Sequence, residues 1–119
     1  MTTVFVLEDD PDLLRLYTHA LTFRGYDVAF TDSAEAAIDM IHKGACTPDI
    51  AVLDMSMAGL PGSAVVEYIR NRSDHPDMPI IVISCDEDFR ARLQPSHVDF
   101  MAKPISLSDL YRAVAHYTA

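Results

Sequence analysis

Two apolar runs in this sequence each end in carboxylates, and that pairing points to metal-assisted chemistry. Val4-Phe5-Val6-Leu7 runs into Glu8-Asp9-Asp10, and Ile50-Ala51-Val52-Leu53 runs into Asp54, after which Gly59, Pro61 and Gly62 break the chain. A continuous apolar run fits a parallel strand covered on both faces, and open α/β sheets bind ligands at the C-terminal edge of such strands. Asp54 is therefore expected to face solvent from a crevice, with Glu8 and Asp9 beside it if the two strands are neighbours. Anions packed together repel and raise each other's pKa unless a cation neutralises them. Oxygen-only ligands with open positions favour Mg²⁺ or Mn²⁺ over zinc, and Mg²⁺ commonly shares its shell with phosphate oxygens. A plain strand end or helix cap is the competing reading, and it suits Asp10 or Asp12 about as well.

Two more residues close apolar runs in the same way. Ile80-Ile81-Val82-Ile83 stops at Ser84, and the run from Val98 to Ala102 stops at Lys103-Pro104. A carboxylate beside a divalent cation and a lysine can attack a phosphoryl group, because both cations offset charge on the transferring oxygens. In that chemistry Asp54 is the nucleophile and Ser84 donates a hydroxyl hydrogen bond to a phosphoryl oxygen. Lys103 precedes a proline, which biases its backbone toward extended conformations and lets its side chain aim back at the acids. Alone, Ser84 reads equally as a strand-end hydroxyl and Lys103 as a solvated lysine; the constellation carries the argument.

The elements that must position these groups alternate strand and helix five times. After the first strand, Asp10-Pro11-Asp12 supplies a cap, a proline suited to the first turn and acids that favour the positive dipole end. A helix is predicted over about 11–24, with Leu13, Leu14, Tyr17 and Leu21 on its apolar face and Arg24-Gly25 closing it. A strand follows at 26–30, then a helix capped by Asp32-Ser33 with Ala34, Ala37, Ile38 and Ile41 inward, ending at Gly44. Beyond the strand at 49–53 comes a helix with Val65, Val66 and Ile69 inward, and then the strand that ends at Ser84. A short helix within 86–93 is stopped by Gln94-Pro95 before the strand at 98–102. Ser106 caps a final helix with Leu107, Leu110, Val114 and Tyr117 inward. The alternation predicts an α/β fold, a parallel sheet with helices on both faces.

Composition bounds the rest. A chain of 119 residues, half of them apolar, is one globular domain over 1–119. Its net charge of −9 repels phosphate backbones and anionic lipid, so no direct nucleic acid and no membrane partner is expected. Cys46 and Cys85 lack a CxxC pattern and the five histidines never fall at ligand spacing, which disfavours zinc and disulfides. The N-terminus lacks the layout of a signal peptide and no apolar run is long enough for a bilayer, so a cytoplasmic location is expected.

From about Thr3 to Tyr117 the chain resembles a response-regulator receiver domain of two-component signalling, the CheY-like family. The markers are Glu8-Asp9-Asp10-Pro11, Asp54 with Gly62 eight residues on, Ser84 ending its strand, and Lys103-Pro104. The resemblance implies a flavodoxin-like (βα)5 fold, a doubly wound five-stranded parallel sheet of order 2-1-3-4-5. It implies Asp54 as phospho-acceptor from a histidine kinase or phosphotransfer protein. Mg²⁺ would be bound directly by Asp9 and Asp54, through water by Glu8, and by the backbone carbonyl of Ser56. Ser84 and Phe100 match the hydroxyl and aromatic switch positions, and Lys103 the phosphate-contacting lysine. Phosphorylated Asp54 would gain strong acceptor oxygens, draw Ser84 inward and open space for the ring of Phe100 to turn in. Output would pass to a downstream protein partner or a fused output domain, with a homodimer also compatible. Such a domain is not an enzyme: it accepts and slowly loses its own phosphoryl group.

Departures from the family pattern cluster near the fourth helix. Lys103 stands 19 positions after Ser84, about one helical turn fewer than is usual, and Pro95 interrupts the stretch, so this helix is expected to be short or displaced. Phe100 stands where tyrosine is common, Ala58 where proline is, and Cys85 where a small residue is frequent. Cys85 and the side chains of Ser56 and Asp86 are expected to control water's access to the phosphoryl group. Two other functions compete. A pseudo-receiver would bind partners without being phosphorylated, against which the intact acids and Lys103 argue. A Mg²⁺-dependent phosphohydrolase with an aspartyl nucleophile would need a second acid where Ser56 stands. The chain ends close behind the last helix, which fits a free-standing regulator and equally a receiver cut from a longer regulator or hybrid kinase.

Overall fold

The computed structural model describes residues 2–55, 61–86 and 88–118. Along the chain run β1 (Thr3–Leu7), α1 (Pro11–Phe23), β2 (Asp27–Thr31), α2 (Ala34–His42), β3 (Ile50–Asp54) and α3 (Gly62–Asn71). They are followed by β4 (Ile80–Ser84), α4 (Asp88–Leu93) with a 3₁₀ turn at Gln94–Ser96, β5 (Asp99–Ala102) and α5 (Leu107–Thr118). All strand pairs are parallel in the order β2-β1-β3-β4-β5. The expected doubly wound sheet is thus the observed one, with strand bounds displaced by about a residue from the sequence reading.

Side chains alternate across a strand, so each apolar run feeds both faces of the sheet. Phe5, Leu7, Ala51, Leu53 and Val82 pack with Ala37, Ile41, Val65 and Ile69 from α2 and α3. Val4, Val6, Val52, Ile81 and Ile83 pack with Tyr17, Leu21, Leu110 and Val114 from α1 and α5. β1, β3 and β4 are buried almost throughout, whereas β2 is a half-exposed edge. With the apolar residues used up on the two faces, the polar residues that close β1, β3 and β4 are left at one sheet edge.

Local caps hold the elements in place. Asp10 accepts from the backbone N–H of Asp12 at 2.9 Å and of Leu13 at 3.3 Å, so its carboxylate is a helix cap for α1. Ser33 caps α2 through Ala36 N–H at 3.2 Å, and Ser106 accepts from Asp109 N–H at 3.0 Å. Gly62 opens α3 against the tip of β3: a Cβ built there would collide with the backbone oxygen of Asp54. Only glycine allows that approach.

The fourth helix is short, six residues, as its spacing foretold. Its connection to β5 is pinned from α3 by Arg70. The guanidinium donates to the carbonyls of Ser96 at 2.7 Å, Met78 at 2.7 Å, Pro76 at 2.9 Å and His97 at 3.3 Å. His97 follows the 3₁₀ turn with φ of 55°. Tyr117 corrects the reading of α5: it is 41% exposed, its hydroxyl donating to Asp99 Oδ2 at 3.2 Å. An apolar period does not separate a core ring from one that lies along the surface with its polar end wet.

Candidate acceptor site

Lys103 brings the strand-end acids together. Its ammonium lies 3.3 Å from Glu8 Oε1 and 3.3 Å from Asp54 Oδ1. Leu7 pairs with Leu53 in adjacent strands, which sets Glu8 and Asp54 level at the edge. Asp54 does not face solvent as expected; it is 1% exposed, as is Glu8, and the Lys103 side chain contacts both. Lys103 is held by main chain as well, its N–H donating to Ser84 O at 3.0 Å where the last pair of β4 and β5, Ser84 with Ala102, closes the ladder. The Lys103–Pro104 peptide is cis.

Burial and the neighbouring Asp54 carboxyl push the Glu8 carboxyl up to about 7, against the Asp10 backbone N–H and the Lys103 charge, which favour its ionised form. The N–H of Asp10 reaches Glu8 Oε2 at 3.2 Å. Burial works against the charge on Lys103, but Asp54 and Glu8 outweigh it and raise its pKa. Glu8, Asp9 and Asp54 each offer a carboxylate oxygen, all within 4.8 Å of one another. Glu8 Oε1 is buried without a hydrogen bond. Three carboxylates face one ammonium, so the edge is short of positive charge, and its all-oxygen donor set fits a hard divalent cation such as Mg²⁺.

The other residues singled out from the sequence fall around this edge. Ser84 is fully buried, its Oγ accepting from Asp86 N–H at 3.0 Å. Asp86 in turn accepts from Asp88 N–H at 2.9 Å and starts α4. Cys85 and Asp86 are exposed. Phe100 is half-buried against the α2 and α3 face, and the guanidinium of Arg90 stands 4.5 Å from its ring centroid. Ser56, Ala58 and Gly59 lie outside the described residues. Sequence reasoning missed Arg90, Arg70 and the polar end of Tyr17. For Tyr17 the only available signal was a hydroxyl on a face otherwise made of leucines.

Acids and a lysine on this edge of a 2-1-3-4-5 parallel sheet define the CheY-like, flavodoxin-like class of fold. The chain belongs to the response regulator receiver domain family, whose sequence profile matches residues 4–115. Among relatives, the transcriptional regulatory protein KdpE of Staphylococcus aureus is 31% identical over 110 residues, covering 90% of this chain and 46% of that protein. The DNA-binding transcriptional regulator NtrC of Escherichia coli is 29% identical over 122 residues, covering 96% of this chain and 25% of that protein. The chain therefore spans from a quarter to about half the length of the curated relatives it matches. Chemotaxis protein CheY4 of Vibrio cholerae superposes with a TM-score of 0.88 at 18% identity, covering 98% of each chain, which speaks to the fold. No helix among the described residues is long and apolar enough to cross a membrane.

Proposed function

We propose that residues 1–119 act as one phospho-accepting receiver domain of a two-component or phosphorelay system. Asp54 takes a phosphoryl group from a histidine kinase or phosphotransfer protein, and the phosphorylated form alters binding to a downstream protein partner or a fused output domain. The observation that carries this reading is Lys103 lying 3.3 Å from both Glu8 and Asp54 at an edge short of positive charge. A cytoplasmic location, and a homodimer as one form of output, belong to the same proposal.

The chain's own residues divide the task. An oxygen of Asp54 attacks phosphorus while the donor's bond to phosphorus breaks and its electron pair leaves with the donor. Lys103 holds a phosphoryl oxygen by charge, and Ser84 turns its hydroxyl proton toward another. Glu8, Asp9, Asp54 and the carbonyl of Ser56 would hold Mg²⁺ or Mn²⁺, which supplies neutralisation of the acids and polarisation of the phosphoryl oxygens. Movement of Ser84 frees room for Phe100, which must leave Arg90 to turn in. Cys85 and the side chains of Ser56 and Asp86 govern the entry of water, and with it the lifetime of the acyl phosphate. No separate substrate is turned over.

Incubation with acetyl phosphate and Mg²⁺ tests the reading. A mass gain of one phosphoryl group on Asp54, absent in Asp54→Asn, is the expected result. No gain in the wild-type protein would leave the unphosphorylated pseudo-receiver in its place. Dephosphorylation rates of Cys85→Ala and Ser56→Asn test the gating role, which is removed if neither rate changes.

A further inference from the structure

Away from the acceptor edge, basic side chains gather where α2 and α3 end. A pocket of about 380 Å³ opens there, with Ile41, Cys46 and Tyr68 as apolar surface and His42, Lys43, Arg72 and His75 around it. Ile41 is buried, and Cys46 and Tyr68 pack against the core from half-buried positions. Asp74 is the one acid among the described lining residues. In a chain with 18 Asp and Glu against 9 Lys and Arg, this is the reverse of the overall balance.

Basic residues at helix ends ordinarily serve the last carbonyls and the negative end of the dipole. Here those carbonyls have other partners. Lys43, Gly44 and Ala45 donate their N–H groups to the carbonyls of Asp39 at 2.9 Å, Ile41 at 3.2 Å and Met40 at 3.1 Å. On α3, Tyr68 O accepts from the N–H of Arg72 at 2.9 Å and of Ser73 at 3.0 Å, and Ile69 O from the Ser73 hydroxyl at 2.7 Å. The guanidinium of Arg72 makes no ion pair or hydrogen bond among the described residues, and its planar fork of N–H donors matches two oxygens of a phosphate. Lys43 is tied to Asp39 at 3.2 Å, an exposed pair that water screens. His42 and Tyr68 hold each other, Nδ1 to hydroxyl at 3.2 Å, which leaves Nε2 for a further bond.

We propose that this pocket binds a small phosphomonoester with a flat apolar body. The phosphate lies on Arg72 and Lys43, and the body lies against Ile41, Cys46 and the ring of Tyr68. Asp74 and the two helix ends cancel much of the positive field, so directed N–H bonds select the phosphate and apolar contact selects the body. The volume, at the small end of ligand pockets, fits a one-ring ester. The ten residues of α3 rise about 15 Å from Gly62, which touches Asp54, to Arg72, so the pocket and the acceptor edge are separate sites.

Titration of the Mg²⁺-free protein with phenyl phosphate and with inorganic phosphate, followed by backbone amide resonances, tests the site. Phenyl phosphate is expected to give shifts at 42–47 and 68–75 that saturate by about 10 mM, with inorganic phosphate binding about tenfold more weakly. Arg72→Gln is expected to weaken phenyl phosphate about tenfold, at an unfolding temperature equal to that of the wild type because the side chain is exposed. Arg72→Lys, which keeps the charge and loses the fork, recovers only part of that loss. Shifts that do not saturate, or that fall only at 8, 54 and 103, overturn the inference. Equal affinity for the two anions means an adventitious ion only, and overturns it as well. So does an Arg72→Gln protein that binds phenyl phosphate as the wild type does.

Discussion

The acceptor edge and the β4–β5 connection are built on opposite plans. At the edge, Glu8 and Asp54 are 1% exposed and are balanced, incompletely, by the side chain of Lys103. In the connection, a single side chain is balanced by backbone: the guanidinium of Arg70 donates to four carbonyls on two loops. The first arrangement holds surplus charge and answers to any change in it. The second is neutral peptide around one cation, and it fixes a helix of six residues that is too short to be stable by itself. Responsiveness and rigidity are thus placed on neighbouring loops, with Phe100 and Arg90 where they meet.

The sharpest way to break the contrast is at Gly62. Gly62→Ala drives a methyl group into the backbone oxygen of Asp54, and the cost is expected to be about 3 kcal/mol, read as a lower urea midpoint. Arg70→Met leaves carbonyls of two loops without their donor and is expected to cost about 2 kcal/mol. Hydrogen exchange of Arg70→Met should rise at 97–100 and stay unaltered at 4–8. A global change would mean that the clamp is not local.

The pH dependence sharpens the other half of the comparison. Because the Glu8 carboxyl is raised to about 7 from 4.5, the folded protein without metal holds this proton more tightly than the unfolded chain. That stabilisation is complete below pH 4.5 and is lost as pH rises through 7, with a slope of up to about 1.4 kcal/mol per pH unit. Mg²⁺ should offset this slope between pH 4.5 and 7, because its affinity should fall about tenfold per unit as the carboxyl takes up its proton. Glu8→Gln should flatten the metal-free profile in thermal unfolding across pH 5–8. The smallest effect is expected for Arg90→Ala, which removes the stack on Phe100 and costs about 0.5–1 kcal/mol, visible as a shifted Phe100 ring resonance.

Much of the acceptor edge was legible because its signals are local. An apolar run that ends in Glu8-Asp9 or Asp54 states its strand, its end and its charge within a few residues, and the β-α alternation leaves few topologies. The burial of Asp54 was not legible, since it depends on how residues distant in sequence, such as Lys103 just after the last strand, pack at the edge. The length of α4 followed from a count of residues, yet its anchor did not, because Arg70 reads as an ordinary basic residue near a helix C-terminus. Tyr17 and Tyr117 share one apolar spacing and meet opposite fates, at 3% and 41% exposure. The period fixes the face of a helix, while depth is decided by what packs against that face.

The bond from the amide of Lys103 to the carbonyl of Ser84, 3.0 Å long, is the last rung between β4 and β5 and fastens the two strand tips. Hydroxyl and ammonium hang from one seam, so a tug on either runs along the stitching to its companion. An arriving anion would be sensed by the two in a single stroke, and the molecule would register their joint reply.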